Sequence, residues 1–354
     1  MAATAAALEN AAADFALIGH FDHWDRAVAL LNAFPSHKPI ARDEIATLLP
    51  WIPPRSLFHV TAHSTRGHAV RGVYIDCFIP PDELDASFAR RNLQRVRAAA
   101  AAASREGARI ATLGGFSSIL LEGRTTFIEG SRTAFTTGNT LTAAYIVKSI
   151  EAALARSGRG IEKQRVLVIG STGDIGSACV DYFAPVAKEL LLVARQAPRL
   201  RDQLRSLAFA RASTDIGDLL PDADVVICVA SMPQASADLT KARPHAVICD
   251  AGYPPNVLRV PRECEIAFRG GMGEILGGYD VEPPAADVWG KNRKHAVGHG
   301  CLLEAILLAL EQRFEAFSSG RGHITPDRID EIYGIAERHG FVVAPLSETE
   351  MQRC

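Results

Sequence analysis

The stretch Val166–Ala178, VLVIGSTGDIGSA, constrains this chain more than any other. An apolar run rich in β-branched residues ends at Gly170, and Gly173 and Gly176 follow at intervals of three. A helix-like segment, SACVDYFAPVAKEL, comes next. This order reads as a strand, a tight glycine turn and the start of a helix, the arrangement that cradles a pyrophosphate. Gly170 permits the sharp turn, Gly173 lets backbone approach the phosphates, and Gly176 lets helix and strand pack closely. The helix start offers free N–H groups and a positive dipole end to the anion. The predicted cofactor contacts are therefore Gly170, Ser171, Thr172, Gly173, Asp174, Ile175 and Gly176. Residues 1–164 precede this unit, which predicts a separate front domain.

A chain of 354 residues exceeds one ordinary core and predicts division into domains. From Arg165 onward, strand-like runs alternate with helical ones: VLVIG, ELLLVAR, DADVVICVAS and HAVICDAGYP. That alternation predicts an α/β fold with a Rossmann-type, doubly wound parallel sheet. The expected division is an N-terminal α/β substrate domain over 1–155, a nucleotide domain over 156–290 and a closing helical segment over 291–354. In the front part, VRGVYIDCFIP reads as a strand running into a proline turn. DELDASFARRNLQRVRAAAAAASREG reads as one long helix ended by Gly107, and ARIATLGGFSSILLEG as a strand, a glycine turn and a strand or short helix.

Hydrophobic content of 48% and charged content of 22% are those of a globular protein. A net charge of −2 gives no reason to expect nucleic-acid binding. No apolar run reaches the length of a membrane span, and the N-terminus lacks the basic region of a secretory signal. Seven scattered cysteines without a C-x-x-C pair point to reduced thiols in a cytoplasm.

Chemistry concentrates at a few further places. The second strand of the series ends at Ala194-Arg195, where an acid would hold the ribose 2′-hydroxyl of NAD. An arginine there, with Arg199 nearby, suits the 2′-phosphate of NADPH, the competing reading being a solvated arginine at a strand end. Cys301 follows Gly300 at the first turn of CLLEAILLALEQRF, where the helix dipole is expected to lower the pKa of a catalytic thiol. His299, His295 and Lys294 lie just upstream, and His299 is the candidate for handling a proton. A small buried apolar thiol is the competing reading. His295, His299 and Cys301 lack a fourth ligand or a known zinc spacing, so no metal is expected. Four loops, LGGFSS, FTTGNTLTAAY, ASMPQ and DAGYPPN, read as walls of one cleft; the third adds Ala230 and Ser231 to the cofactor contacts. None of the six tyrosines has a lysine four residues later, which argues against the short-chain dehydrogenase mechanism.

YIDCFIP, ATLGGFSSILLE, FTTGNTLTAAY, GSTGDIGSA, LLLVAR, VASMPQ, DAGYP and GCLLEAILL occur in the order found in one family, the long-chain acyl-[acyl-carrier-protein] reductases. The chain resembles that family from LIGH at Leu17–His20 to ERHGF at Glu337–Phe341. The resemblance implies NADPH-dependent reduction of a fatty acyl thioester, carried by acyl carrier protein or coenzyme A, to a free aldehyde. It places the acyl-cysteine intermediate on Cys301 and the nucleotide loop on Gly170–Gly176. It also implies an acyl carrier protein and a downstream aldehyde-consuming enzyme as partners. The helix bearing Arg90, Arg91, Arg95 and Arg97 would meet the acidic carrier, or serve only as a solvated face. The chain departs from the family at GGMGEI, which lacks the family's histidine, and in the Gly-His-Gly before the cysteine. Two rival readings remain: an alcohol or hydroxy-acid dehydrogenase of the shikimate-dehydrogenase type, which needs no cysteine, and a non-catalytic NADPH-binding protein.

Overall fold

The computed structural model describes residues 12–34, 38–121, 131–230, 237–253, 255–283, 285–286, 297–320 and 322–351. The chain forms two compact units that do not follow the linear order of the sequence. One comprises Met1–Gly138, Ile275–Ala296 and Cys301–Ser319; the other comprises Asn139–Glu274, Val297–Gly300 and Gly320–Cys354. The division differs from the expected boundaries at 155 and 290, because contacts rather than chain order decide membership. The long helix after Gly138 belongs with the second unit, and the closing segment is shared out between the two.

The first unit is built on β1 (Phe15–Gly19), α1 (Trp24–Ala33), α2 (Arg42–Leu48), β2 (Arg55–His63), β3 (Ala69–Asp76), α3 (Ala89–Arg105), β4 (Ile110–Leu113), α4 (Phe116–Leu120) and β5 (Ala134–Thr136). Its sheet runs Tyr279–Val281, β2, β3, β1, β4, β5. β1 is parallel to β3 and β4, and β4 to β5, whereas β2 pairs antiparallel with β3 and with the late strand Tyr279–Val281. Ala16, Ile18, Val73, Ile75, Ala111 and Leu113 form one core cluster with Val96, Ala99, Ala100, Ala102 and Ala103 of α3. The alanine run therefore has a packing function: short side chains let the helix lie close to the sheet. The expected long helix begins only at Ala89, since the preceding acidic segment forms short 3₁₀ turns at Pro81–Glu83 and Ala86–Phe88.

Arg95 of that helix does not face a partner. Its guanidinium donates to the carbonyls of Pro50, Ile52 (3.0 Å) and Cys77 (3.1 Å), pinning the segment before β2 to α3. Arg91 pairs with Glu83 and lies over the Phe88 ring, while Arg90 and Arg97 are exposed. The four arginines thus do not act as one free basic face.

The second unit opens with α5 (Asn139–Arg156) and then β6 (Arg165–Ile169), α6 (Asp174–Phe183), β7 (Glu189–Val193), α7 (Ala197–Leu204), β8 (Ala210–Ser213), β9 (Val225–Cys228), β10 (Val247–Asp250) and β11 (Ile266–Arg269). The sheet order is β11-β10-β9-β6-β7-β8, with all neighbours parallel. The chain fills one side from β6 to β8, then crosses back to fill the other from β9. This is the doubly wound order with its switch point between β6 and β9. β9 and β10 are buried throughout, as strands covered on both faces must be. EIAFRGGMGE is interrupted by its glycines: β11 ends at Arg269 and a separate strand covers Met272–Ile275. The latter joins Val297–His299 and Phe341–Val343 in a small sheet. Further along come the helices α8 (Gly300–Leu310), α9 (Pro326–His339) and the short α10 (Leu346–Thr349). The Thr325 hydroxyl caps α9, and Gly340, at φ +76°, ends it. Among the described residues, no helix is long and apolar enough to cross a membrane.

Candidate active site

In the first unit, β1, β3, β4 and β5 point the same way, so their carboxyl ends share one edge. The residues just past those ends are His20, Cys77, Gly114–Phe116 and Thr137–Gly138. Cys301, at the start of α8, is seated there. Its carbonyl accepts the Thr112 hydroxyl at the end of β4. Gly138 has φ +71°, and a Cβ there would overlap the Cα and carbonyl of Cys301. A Cβ at Gly114 would lie 2.9 Å from Leu302 Cδ2 and 3.5 Å from the Cys301 sulfur. LGGFSS and the Thr-Gly of FTTGN are thus both packed on the cysteine, and both need glycine for closeness of approach.

The electrostatics of this seat correct the expected low pKa. Burial pushes the Cys301 thiol up to about 11, and the nearby Glu304 carboxylate works in the same direction. N–H groups of Gly115, Cys301 and Leu302 oppose this. The helix-start effect inferred from the sequence is present, but loss of water outweighs it. Even so, Cys301 retains partial exposure, whereas Cys77, Cys179, Cys228, Cys249 and Cys264 are buried. Burial raises the thiols of Cys77, Cys179, Cys228 and Cys249 as well. Cys354 lies outside the described residues.

Two further polar groups stand at this seat. Glu304, one turn beyond Cys301, is fully buried and accepts hydrogen bonds from the hydroxyls of Thr136 and Ser318 (2.9 Å). The Ser318 N–H in turn donates to the Thr136 hydroxyl at 2.9 Å. The signal for it in the sequence is a single acid three residues after the cysteine, inside an otherwise apolar helix. His20, directly after β1, accepts the Phe116 N–H through Nε2 at 3.2 Å. Sequence reasoning passed over its role, because nothing local links residue 20 to residue 116. His299 ends the strand Val297–His299 opposite Met272, is exposed, and belongs to the second unit. Lys294 and His295 lie outside the described residues.

In the second unit the glycine turn has the form its spacing predicts. Gly170 has φ +92°, and a Cβ there would meet the Ala230 backbone at 2.8 Å. Gly170 and Ala230 follow β6 and β9, so they flank the switch point. The N–H groups of Gly170 and Ser171 are tied to the Val193 carbonyl at 2.8 and 3.2 Å. A Cβ at Gly176 would overlap the Gly170 carbonyl, which is the close packing that requires glycine. Gly173 is different: a Cβ there would meet only the Gly170 oxygen, at 3.2 Å. No side chain caps the start of α6 at Gly173, and an uncapped helix start is where backbone N–H groups meet an anion.

Ser171 Oγ and Gln203 Oε1, both buried beside this loop, lack hydrogen-bond partners, although Gln203 Nε2 donates to the Ser171 carbonyl at 2.9 Å. Unpartnered polar atoms at a switch point, beside an uncapped helix start, fit a dinucleotide. Asp174 is held by the Asn139 amide at 2.8 Å. Arg195 and Arg199 are exposed beyond the end of β7, the strand beside β6. Thr172 and Ile175 are partly exposed on the loop; Ser231 lies outside the described residues. Among the described residues, no group of three or more His, Cys, Asp or Glu is placed to hold a metal ion.

The chain is 33% identical over 345 residues to the long-chain acyl-[acyl-carrier-protein] reductase of Synechococcus elongatus, an alignment covering 92% of this chain and 98% of that protein. It is 28% identical over 251 residues to the aminotransferase PigE of a Serratia strain, covering 68% of this chain but only 29% of that protein. No protein-family model matches. Among solved structures, L-tryptophan dehydrogenase from Nostoc punctiforme aligns with a TM-score of 0.35 and 11% identity over 91% of this chain and 80% of that one. The nucleotide-binding domain of glutamyl-tRNA reductase from Thermoplasma volcanium aligns with a TM-score of 0.27 and 22% identity over 34% of this chain and 83% of that one.

Proposed function

Because this chain belongs to the long-chain acyl-[acyl-carrier-protein] reductase family, we propose that it reduces a fatty acyl thioester to a free aldehyde, with Cys301 as the acyl acceptor and NADPH as reductant. The observation that carries this reading is the seat of Cys301: a partly exposed residue at a helix start, with the Gly114 turn packed on its sulfur and N–H groups of Gly115 and Leu302 favouring its thiolate.

Cys301 loses its proton and attacks the thioester carbonyl. The bond to the carrier or coenzyme A sulfur breaks, and that sulfur leaves as a thiol with the proton. The acyl group is then held on Cys301 at the thioester level, and the bulky leaving group is free to depart. N–H groups around the sulfur stabilise negative charge on the thiolate before attack and after aldehyde release. His299 stands as the candidate proton carrier. Bound NADPH supplies the hydride that takes the acyl group to the aldehyde level. The loop Gly170–Gly176 would hold its pyrophosphate, Ala230 and Ser231 would flank it, and Arg195 would meet the 2′-phosphate. Acyl carrier protein is the proposed donor, meeting Arg90 and Arg97 but not Arg91 and Arg95.

The test is intact mass after incubation with a long-chain acyl-CoA and no NADPH. One acyl adduct is expected, labile to hydroxylamine and mapping to Cys301. Cys301→Ala should neither acylate nor form aldehyde while still binding NADPH. An adduct on another cysteine, or an alanine variant with near-normal turnover, refutes the covalent route and returns the protein to the cysteine-independent dehydrogenase reading.

A further inference from the structure

Consecutive residues of the turn after β4 face Cys301 and His20. Gly114 packs against the Cys301 sulfur, the Gly115 N–H favours the Cys301 thiolate, and the Phe116 N–H donates to Nε2 of His20 at 3.2 Å. Gly115 has φ +59° with ψ −128°, a conformation open to glycine and costly to other residues. Such a turn does not hold its shape by itself; contacts on both sides must fix it. One side is Leu302 and Cys301, against which Gly114 is packed. The other is His20, which also meets the Phe116 ring edge-on at 6.2 Å between centroids.

We infer that His20 is a positioning residue for the Cys301 thiolate: by accepting the Phe116 N–H, it fixes the Gly114–Gly115 turn that packs against the sulfur. Accepting a backbone N–H requires an unprotonated Nε2. Burial holds the pKa of His20 below its usual value, against the opposing influence of Asp22 and a backbone hydrogen bond with Phe21, so the ring is neutral at neutral pH. Its position just past β1 is independent of the chemistry at Cys301. A strand 96 residues away along the chain supplies the anchor for the turn. The inference rests on the reading of Cys301 as nucleophile, but its test does not use turnover.

The experiment measures alkylation of Cys301 by iodoacetamide across pH, located by peptide mapping, in the full-length protein and in His20→Ala and His20→Gln. The alanine variant removes the acceptor; the glutamine variant keeps a carbonyl oxygen in reach of the Phe116 N–H but cannot shuttle a proton. NADPH titration reports on the fold of each variant. The expected result is alkylation about tenfold slower at pH 8 in His20→Ala, the loss of one charge-assisted hydrogen bond, with its pH profile displaced upward. NADPH binding should be unchanged, and His20→Gln should recover most of the rate. An alanine variant with the parent's profile overturns the inference. So does a glutamine variant that binds NADPH yet stays as slow as alanine, since the ring would then act by proton transfer. Failure of the nucleophile assignment is read separately, from retained turnover in Cys301→Ala.

Discussion

Two glycine turns in this protein look alike locally and do opposite things. Each follows the carboxyl end of a parallel strand and leads into a helix: Gly114–Gly115 between β4 and α4, and Gly170–Gly176 between β6 and α6. In the first the space is filled. Leu302 and Cys301 occupy the positions a side chain at Gly114 would take, and the Phe116 N–H is committed to His20. In the second the space beside Gly173 is nearly open, α6 starts without a side-chain cap, and Ser171 Oγ and Gln203 Oε1 are buried without partners. A strand–glycine–helix turn therefore does not by itself mean a phosphate cradle. What separates the two turns here is whether side chains already fill the space beside the glycines.

The largest expected effect breaks the open turn. Gly173→Val places a branched side chain where the pyrophosphate would lie, and NADPH affinity should fall by at least about a hundredfold. Cys301 alkylation should be unaffected, because the filled turn is untouched. Normal NADPH titration in this variant would remove the loop from the cofactor site.

A smaller effect breaks the filled turn. Gly115→Ala forces a Cβ onto a backbone at φ +59° and should swing the N–H off the sulfur. Alkylation of Cys301 should slow about tenfold, consistent with the loss of one hydrogen bond to a charged group, while NADPH binding stays normal. The pH dependence sharpens this. With its pKa near 11, Cys301 should be alkylated faster with each rise in pH and should reach no plateau below pH 10. A plateau near pH 8 would show that the dipole and N–H groups outweigh burial after all.

The smallest effect tests selectivity at the open turn. Arg195 is exposed past the end of β7, so exchanging its charge should not disturb packing. Arg195→Asp is expected to weaken NADPH about tenfold and to narrow its advantage over NADH. Equal affinity of the parent protein for both cofactors would remove the reason for assigning Arg195 to the 2′-phosphate.

Much of the second unit was legible without coordinates. VLVIG, ELLLV, VVIC and VICD are short, continuous apolar runs, and the parallel sheet buries each of them on both faces. The first unit was less so: β2, RSLFHVTAH, alternates histidine and threonine with apolar residues and carries no glycine signal. In the second unit β8, ARAS, is a polar edge strand and did not stand out either. Arg95 illustrates the limit for side chains. In sequence it is one of five arginines on a helix, and only the folded chain shows its guanidinium spent on three carbonyls.

The sequence alone determined the glycine turn after β6, the parallel order it opens, the cysteine at a helix start and the family the chain resembles. All of these are encoded by neighbours within a few residues, because turn geometry and strand periodicity are local properties. Only the tertiary structure decided what surrounds the cysteine. Its seat draws on residues 20, 112–116, 136–138, 301–304 and 318, assembled because parallel crossovers bring the ends of distant strands to one edge. The same assembly reversed the expected shift of the thiol. A helix start is visible in one dimension, but the water a side chain loses depends on every element packed around it.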